Sequence, residues 1–141
     1  MPIRSLRSLF EGQTPITVAK TVTVLEAART MKLHDIGALM IVDGSRLCGI
    51  FTERDALFRV IAEGRDPGAT RLAEVMTPQP QTIHPDKPFL HALRIMHKGR
   101  FRHLPVVEDG RPLGMVSSRD ALDEDLYELR NNLAQREDML E

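Results

Sequence analysis

The stretch Pro15–Leu57 recurs without a gap as Pro80–Leu122, an offset of 65 residues (80 − 15 = 65). Fourteen of the 43 aligned positions are identical: Pro15/Pro80, Thr17/Thr82, Leu25/Leu90, Ala27/Ala92, Arg29/Arg94, Met31/Met96, Leu39/Leu104, Val42/Val107, Arg46/Arg111, Gly49/Gly114, Arg54/Arg119, Asp55/Asp120, Ala56/Ala121 and Leu57/Leu122. Unrelated segments of ordinary composition would agree at about one position in sixteen, roughly three in this window. Conservative pairs such as Val18/Ile83, Ile36/Phe101, Ile50/Met115 and Thr52/Ser117 fill the gaps. This duplication constrains the fold more than any single motif, because one supersecondary unit carried twice buries its apolar face by stacking on its copy.

Composition bounds what the copies can be. With 141 residues, 42% of them hydrophobic, the chain can bury about two-thirds of its unfolded surface, enough for one compact domain or two small ones sharing a core. Nineteen basic against 20 acidic residues leave a net charge of −1, so no global field favours nucleic acid or an anionic membrane as partner. The single cysteine, Cys48, has no internal disulfide partner, and apolar runs such as Gly37–Val42 are too short to span a bilayer. The opening Met1–Ser5 lacks the apolar core of a signal peptide, and the expected location is the reducing cytoplasm.

Each copy reads as β-α-β-β-α, an α+β unit. In the first, Ile16–Val18 is a short strand signal, and Thr23 with Glu26 suits a helix N-terminus. Val24, Ala27, Ala28 and Met31 share one face of a helix that stops near His34–Asp35. Gly37–Val42 and Leu47–Phe51 form a hairpin around Asp43–Ser45. A second helix starts at Thr52–Asp55, carries Ala56, Leu57, Val60 and Ile61 inward and ends at Gly64. The second copy repeats this with a helix over 88–98 and strands at His103–Val107 and Pro112–Val116. The boundaries expected are residues 1–66 for the first repeat with its lead-in, 67–122 for the second with its linker, and 123–141 for a helical extension. Leu72–Met76 leads into the second copy, and Leu6, Leu9 and Phe10 look like its counterpart with the register slipped by one residue.

Certain segments carry a family resemblance: Asp35–Leu39 and Arg102–Val107 as second strands, Gly49–Asp55 and Gly114–Asp120 as third strand and helix start, and Val75–Pro78 as repeat opening. They are similar to the CBS domain, the regulatory unit named after cystathionine β-synthase, in its usual tandem pair. The resemblance implies two repeats related by pseudo-twofold symmetry, two clefts that bind adenosine-containing ligands (AMP, ADP, ATP or NAD(H)) as regulatory ligands, and homodimerisation. No catalytic cofactor and no enzyme activity are expected.

Thr52-x-x-Asp55 and Ser117-x-x-Asp120 sit where a strand runs into a helix, so backbone N–H groups point at the mouth of any cleft there. A hydroxyl at that place can bind a ribose or phosphate oxygen, and an aspartate three residues on can accept both ribose hydroxyls. The same pattern is also a helix cap. By the resemblance, Asp55 and Asp120 are the ribose positions, with Thr52, Arg54, Ser117 and Arg119 around them. The backbone near Thr17–Val18 and Thr82–Ile83 meets the base. Ile36, Gly37 and Ala38, and Arg102, His103, Leu104 and Pro105, complete the walls.

The copies differ where charge matters. Glu53 becomes Ser118, and the run His97–His103 is far more basic than Lys32–Ala38, which favours phosphate groups in the cleft of Ser117 and Asp120. Read alone, that run is equally a solvated helix end. The five histidines show no metal-ligand spacing, and Cys48 reads as a small core residue. Leu122, Leu126, Leu129, Leu133 and Leu140 form an apolar seam on a helix from Ser117 onward, for packing on the chain itself, on a second subunit or on an effector protein. The alternative to a ligand sensor is an interaction module acting through its dimer surface and that helix.

Overall fold

The computed structural model describes residues 5–119. Its elements run α1 (Arg7–Phe10), β1 (Thr17–Ala19), α2 (Val24–His34), β2 (Ala38–Asp43), β3 (Arg46–Thr52), α3 (Glu53–Asp55, continued as a π-helix over Ala56–Ile61), α4 (Leu72–Val75), β4 (Thr77–Pro78), α5 (Phe89–Gly99), β5 (His103–Glu108) and β6 (Arg111–Ser117). The β-α-β-β-α unit is present in the first copy. In the second, its first strand shrinks to the parallel bridge Ile83↔Val106, at the place equivalent to Val18↔Ile41. The expected C-terminal helix and the extension 123–141 lie outside the described residues.

Local chemistry accounts for the matching elements. The Thr23 hydroxyl accepts the Glu26 N–H at 3.2 Å, which satisfies one of the donors that a helix start leaves unpaired. Val24, Ala27 and Met31 then bury one face of α2, as Ala92 and Met96 do for α5. Both helices end on a left-handed residue at the same repeat position, Asp35 (φ 53°) and Arg100 (φ 59°). Both hairpins shift register at equivalent points, between Ile41 and Val42 and between Val106 and Val107. A duplicated sequence has reproduced its irregularities as well as its regular parts.

One expected face is rotated. Val60 is buried and Ala56 half-buried, but Leu57 and Ile61 are 50% and 69% exposed. Ala56 and Val60 share the face of the π-wound segment that packs on the first core, while Leu57 and Ile61 lie along the larger cleft.

The two copies exchange their opening segments. Leu72 and Val75, which lead into the second copy, lie in the core of the first with Leu39, Ile41 and Phe51, while Leu6 from the chain's start lies in the core of the second with Leu104, Val106 and Val116. Leu72 donates its N–H to Val22 O and Ala73 to Lys20 O; Leu6 donates to Lys87 O and Arg7 to Pro85 O. The acceptors are 65 residues apart and the donors 66, which is the one-residue slip seen in the sequence. Thr77–Pro78 then adds a fourth strand to the first sheet, in the order β1-β2-β3-β4. The glycine pair Gly49/Gly114 follows from the exchange, because a Cβ at Gly49 would meet Met76 Sδ and one at Gly114 the Phe10 ring.

Arg7 fastens the chain's start to the second copy. Its Nε donates to Asp86 at 2.9 Å, and Nη1 and Nη2 donate to the two oxygens of Glu108 at 3.1 and 2.5 Å. The Arg7 hydrogen bonds are the main cause that holds Asp86 and Glu108 below their ordinary values of 3.8 and 4.5. Folded values that are depressed contribute stability above the unfolded values, and that stability is lost as pH falls through the folded ones. Arg7→Met should therefore lower the urea midpoint slightly at about pH 6, since the groups are exposed, and the gap to wild type should close in acid below the ordinary carboxylate range. A gap independent of pH, measured by denaturation at several pH values, would contradict the clasp.

Candidate functional site

Two clefts lie between the copies, and each draws its walls from both. The first, about 610 Å³, joins the start of α3 (Thr52, Glu53, Arg54, Asp55) to the opening of the second copy (Thr77, Pro80, Gln81) and to Arg100–His103 at the start of β5. The second, about 1010 Å³, joins the end of β6 (Ser117, Ser118, Arg119) to the opening of the first copy (Gln13–Ile16) and to Asp35–Ala38 at the start of β2. Both volumes suit a nucleotide-sized ligand. The lining sets are related by the repeat offset: Pro15 with Pro80, Ile16 with Gln81, and Asp35–Ala38 with Arg100–His103. Matching backbone bonds hold the junctions, Glu53 N–H to Gly37 O at 3.0 Å and Ser118 N–H to Arg102 O at 2.8 Å.

The Thr52-x-x-Asp55 motif is a reciprocal helix cap and a cleft wall at once. Thr52 Oγ1 accepts the Asp55 N–H at 3.1 Å, and Asp55 Oδ2 accepts the Thr52 N–H at 3.0 Å. Asp55 Oδ1 lies 3.5 Å from Arg59 Nε. A carboxylate offers about four acceptor directions, so this one keeps capacity for hydroxyl donors in the cleft. Beside it the Arg54 guanidinium lies 5.0 Å from the centre of the Phe58 ring, at cation–π range.

Other site residues expected from the sequence fall in three groups. Ile36, Gly37 and Ala38, with Ser117 and Arg119, line the larger cleft; Thr52, Arg54 and Asp55 line the smaller; Gly37, Arg102 and His103 line both. Thr17 and Val18 stand in the β1–β2 ladder, and Ile83 is buried with its N–H given to Pro105 O and its carbonyl taken by Val107 N–H. Thr82 is exposed and lines neither cleft, while Leu104 and Pro105 are buried within β5. The wall residues on these openings are Pro15–Ile16 and Pro80–Gln81 instead, and the identical pair Pro15/Pro80 was the signal for them. Asp120 lies outside the described residues.

The basic run is shared between the clefts. Arg100 lines only the smaller cleft, with Thr52 and Asp55, while Arg102 and His103 line that cleft and also the one of Ser117, where the sequence placed the run. The reason is geometric: Ala38 pairs with Thr52 and His103 with Ser117 within each copy, so each strand start stands beside its own helix start and also faces that of the other copy. Gly37 sits on the partition between the clefts, where a Cβ would collide with Glu53 and lie 3.3 Å from His103 Nε2.

The comparisons decide the family. The CBS domain family matches residues 12–62 and 72–127, covering most of the chain in two repeats. The chain belongs to the CBS domain family. Among solved structures, a signal-transduction protein with CBS domains from Burkholderia ambifaria superposes with a TM-score of 0.81 at 31% identity, covering 88% of this chain and 95% of that one. The CBS domain pair of protein MJ0100, in complex with 5′-methylthioadenosine and S-adenosyl-L-methionine, does so with a TM-score of 0.78 at 30% identity, covering 92% and 99%. A CBS domain-containing mitochondrial protein of Arabidopsis thaliana, CBSX3, is 36% identical over 116 residues, which are 79% of this chain and 56% of that protein. The chain thus spans little more than half of that relative, and about a fifth of longer Arabidopsis CBS proteins.

Chemistry outside the clefts is sparse. Among the described residues, the ligand atoms of His84, Asp86 and Glu108 lie within 4.8 Å of one another, but Arg7 already supplies positive charge to both carboxylates there. Cys48 packs half-buried on the first core, and burial pushes its thiol up, away from the reactive thiolate. No helix of the described residues is long and apolar enough to cross a membrane.

Proposed function

We propose that this CBS pair is a non-enzymatic regulatory module that binds adenosine-containing ligands in its two clefts and transmits occupancy through the relative pose of the copies. The observation that carries this is the crossed construction of the clefts. A ligand that touches Asp55 also touches Arg100–His103 of the other copy, so binding energy is differential in their relative pose, as any ligand-driven shift requires. The MJ0100 pair, 30% identical to this chain, was crystallised with two adenosine derivatives. Ribose hydroxyls would donate to Asp55 and Asp120, the base would lie against Pro80–Gln81 or Pro15–Ile16, and phosphates would meet Arg54, Arg100 and Arg102. A cytoplasmic location fits this ligand class.

The reading includes a homodimer. Leu57, Phe58 and Ile61 on the π-helix and Leu33 on α2 are half or more exposed, apolar side chains that a second copy would cover. Ala27 and Ala92 are fully buried in the two cores and are not available to such a contact.

Two measurements test these statements. Calorimetry with AMP should show Asp55→Ala and Asp120→Ala each weakening one binding event by about 1.5–3 kcal/mol, the scale of a hydrogen bond to a charged group, with the fold intact. Unchanged affinity in both variants would reject the ribose assignment. Light scattering at high micromolar concentration should give a dimer that Ile61→Glu weakens, and a wild-type monomer would remove the dimer from the account.

A further inference from the structure

Arg59 occupies none of the repeated ligand positions, yet it joins the two walls of the smaller cleft. Four residues after Asp55, it brings Nε to 3.5 Å from Asp55 Oδ1, while Nη1 donates to the carbonyls of Val75 at 3.3 Å and Met76 at 3.1 Å. Val75 and Met76 close α4, and the residues that follow them, Thr77, Pro80 and Gln81, form the wall opposite Asp55. The Asp55 side chain is only 12% exposed and is held from its other oxygen by the Thr52 N–H. One guanidinium therefore fixes the carboxylate and the facing segment in the same act, and a fork of rigid donors suits that task better than a flexible ammonium. The residue 65 positions on is Glu124, a side chain that when ionised has no donor to offer. The duplication has copied the aspartate but not its arginine.

We propose that Arg59 is a positioning residue: it presents the Asp55 carboxylate to a ribose diol and makes the Thr52–Asp55 cleft the first of the two to fill with an adenosine ligand. This rests on the reading of the clefts as adenosine sites. A carboxylate pinned on both sides keeps its remaining acceptor directions aimed in one way, so less ordering is left for the ligand to impose. Selectivity for ribose over 2′-deoxyribose follows, since only the diol uses both remaining directions.

The test uses Asp120→Ala as background, so that the smaller cleft is followed alone, with calorimetry on AMP and 2′-deoxy-AMP. With Arg59 intact, AMP should bind at least about tenfold more tightly than the deoxy compound, the lower end of a charged hydrogen bond. Adding Arg59→Gln should bring that ratio towards one while leaving deoxy binding within about twofold and the melting temperature near its parent; adding Arg59→Lys, which keeps the cation, should restore part of the ratio. An unchanged ratio in Arg59→Gln would overturn the proposal, and so would an equal loss for both ligands, which would mean that Arg59 only supports the wall. A tighter wild-type binding step that is removed by Asp120→Ala and not by Asp55→Ala would overturn the order of filling. If AMP fails to bind, or binds without preference over the deoxy compound, while Arg59 is intact, the adenosine reading itself falls.

Discussion

Everything in this fold depends on the exchange of opening segments between the copies. Neither β-α-β-β-α unit closes its own core: Leu72 and Val75 complete the first and Leu6 the second, and each leucine is fully buried. Full burial of such a side chain is worth about 1.5–3 kcal/mol, so separating the copies would forfeit apolar burial on both sides at once. Gly49 and Gly114 leave the room that Met76 and Phe10 fill. Because the exchange fixes how the copies face each other, it also decides which residues meet across the clefts.

Symmetry then supplies two clefts, and sequence divergence makes them unequal. The frame is conserved in its hydrogen bonds, with Glu53 N–H on Gly37 O matched by Ser118 N–H on Arg102 O. The side chains on that frame are not: Asp35 is replaced by Arg100, Gly37 by Arg102, Ala38 by His103 and Glu53 by Ser118. The smaller cleft thereby combines Arg54, Arg100 and Arg102 with Asp55, a mixture of cations for phosphate and a carboxylate for ribose. Gly37, Glu53, Leu57, Arg102 and His103 line both clefts, so charge brought into one is felt at the wall of the other.

Much of this was legible in the chain because a repeat carries its own control. The hairpins, the two long helices and the one-residue slip of the opening segments could be read by matching positions 65 apart. Leu57 and Ile61 were misread because they line the larger cleft, and an apolar cleft wall leaves the same signal in the sequence as a core face. The cleft partners were legible only in part. Arg102 and His103 do line the cleft of Ser117, but Arg100–His103 also stand against Thr52 and Asp55 of the other copy, and no periodicity within a repeat encodes that crossing. Pro15 and Pro80 were visible as an identical pair, but the family resemblance pointed to the backbone further on, at Thr17–Val18 and Thr82–Ile83.

The crossing of the clefts is tested most directly by a crystal structure of the protein with bound AMP. The account predicts density for the nucleoside between α3 of one copy and the opening strand of the other, with the ribose hydroxyls on the Asp55 carboxylate and the phosphate towards Arg100–His103. A nucleotide held by elements of a single copy, or bound with its ribose away from Asp55 and Asp120 alike, would contradict it.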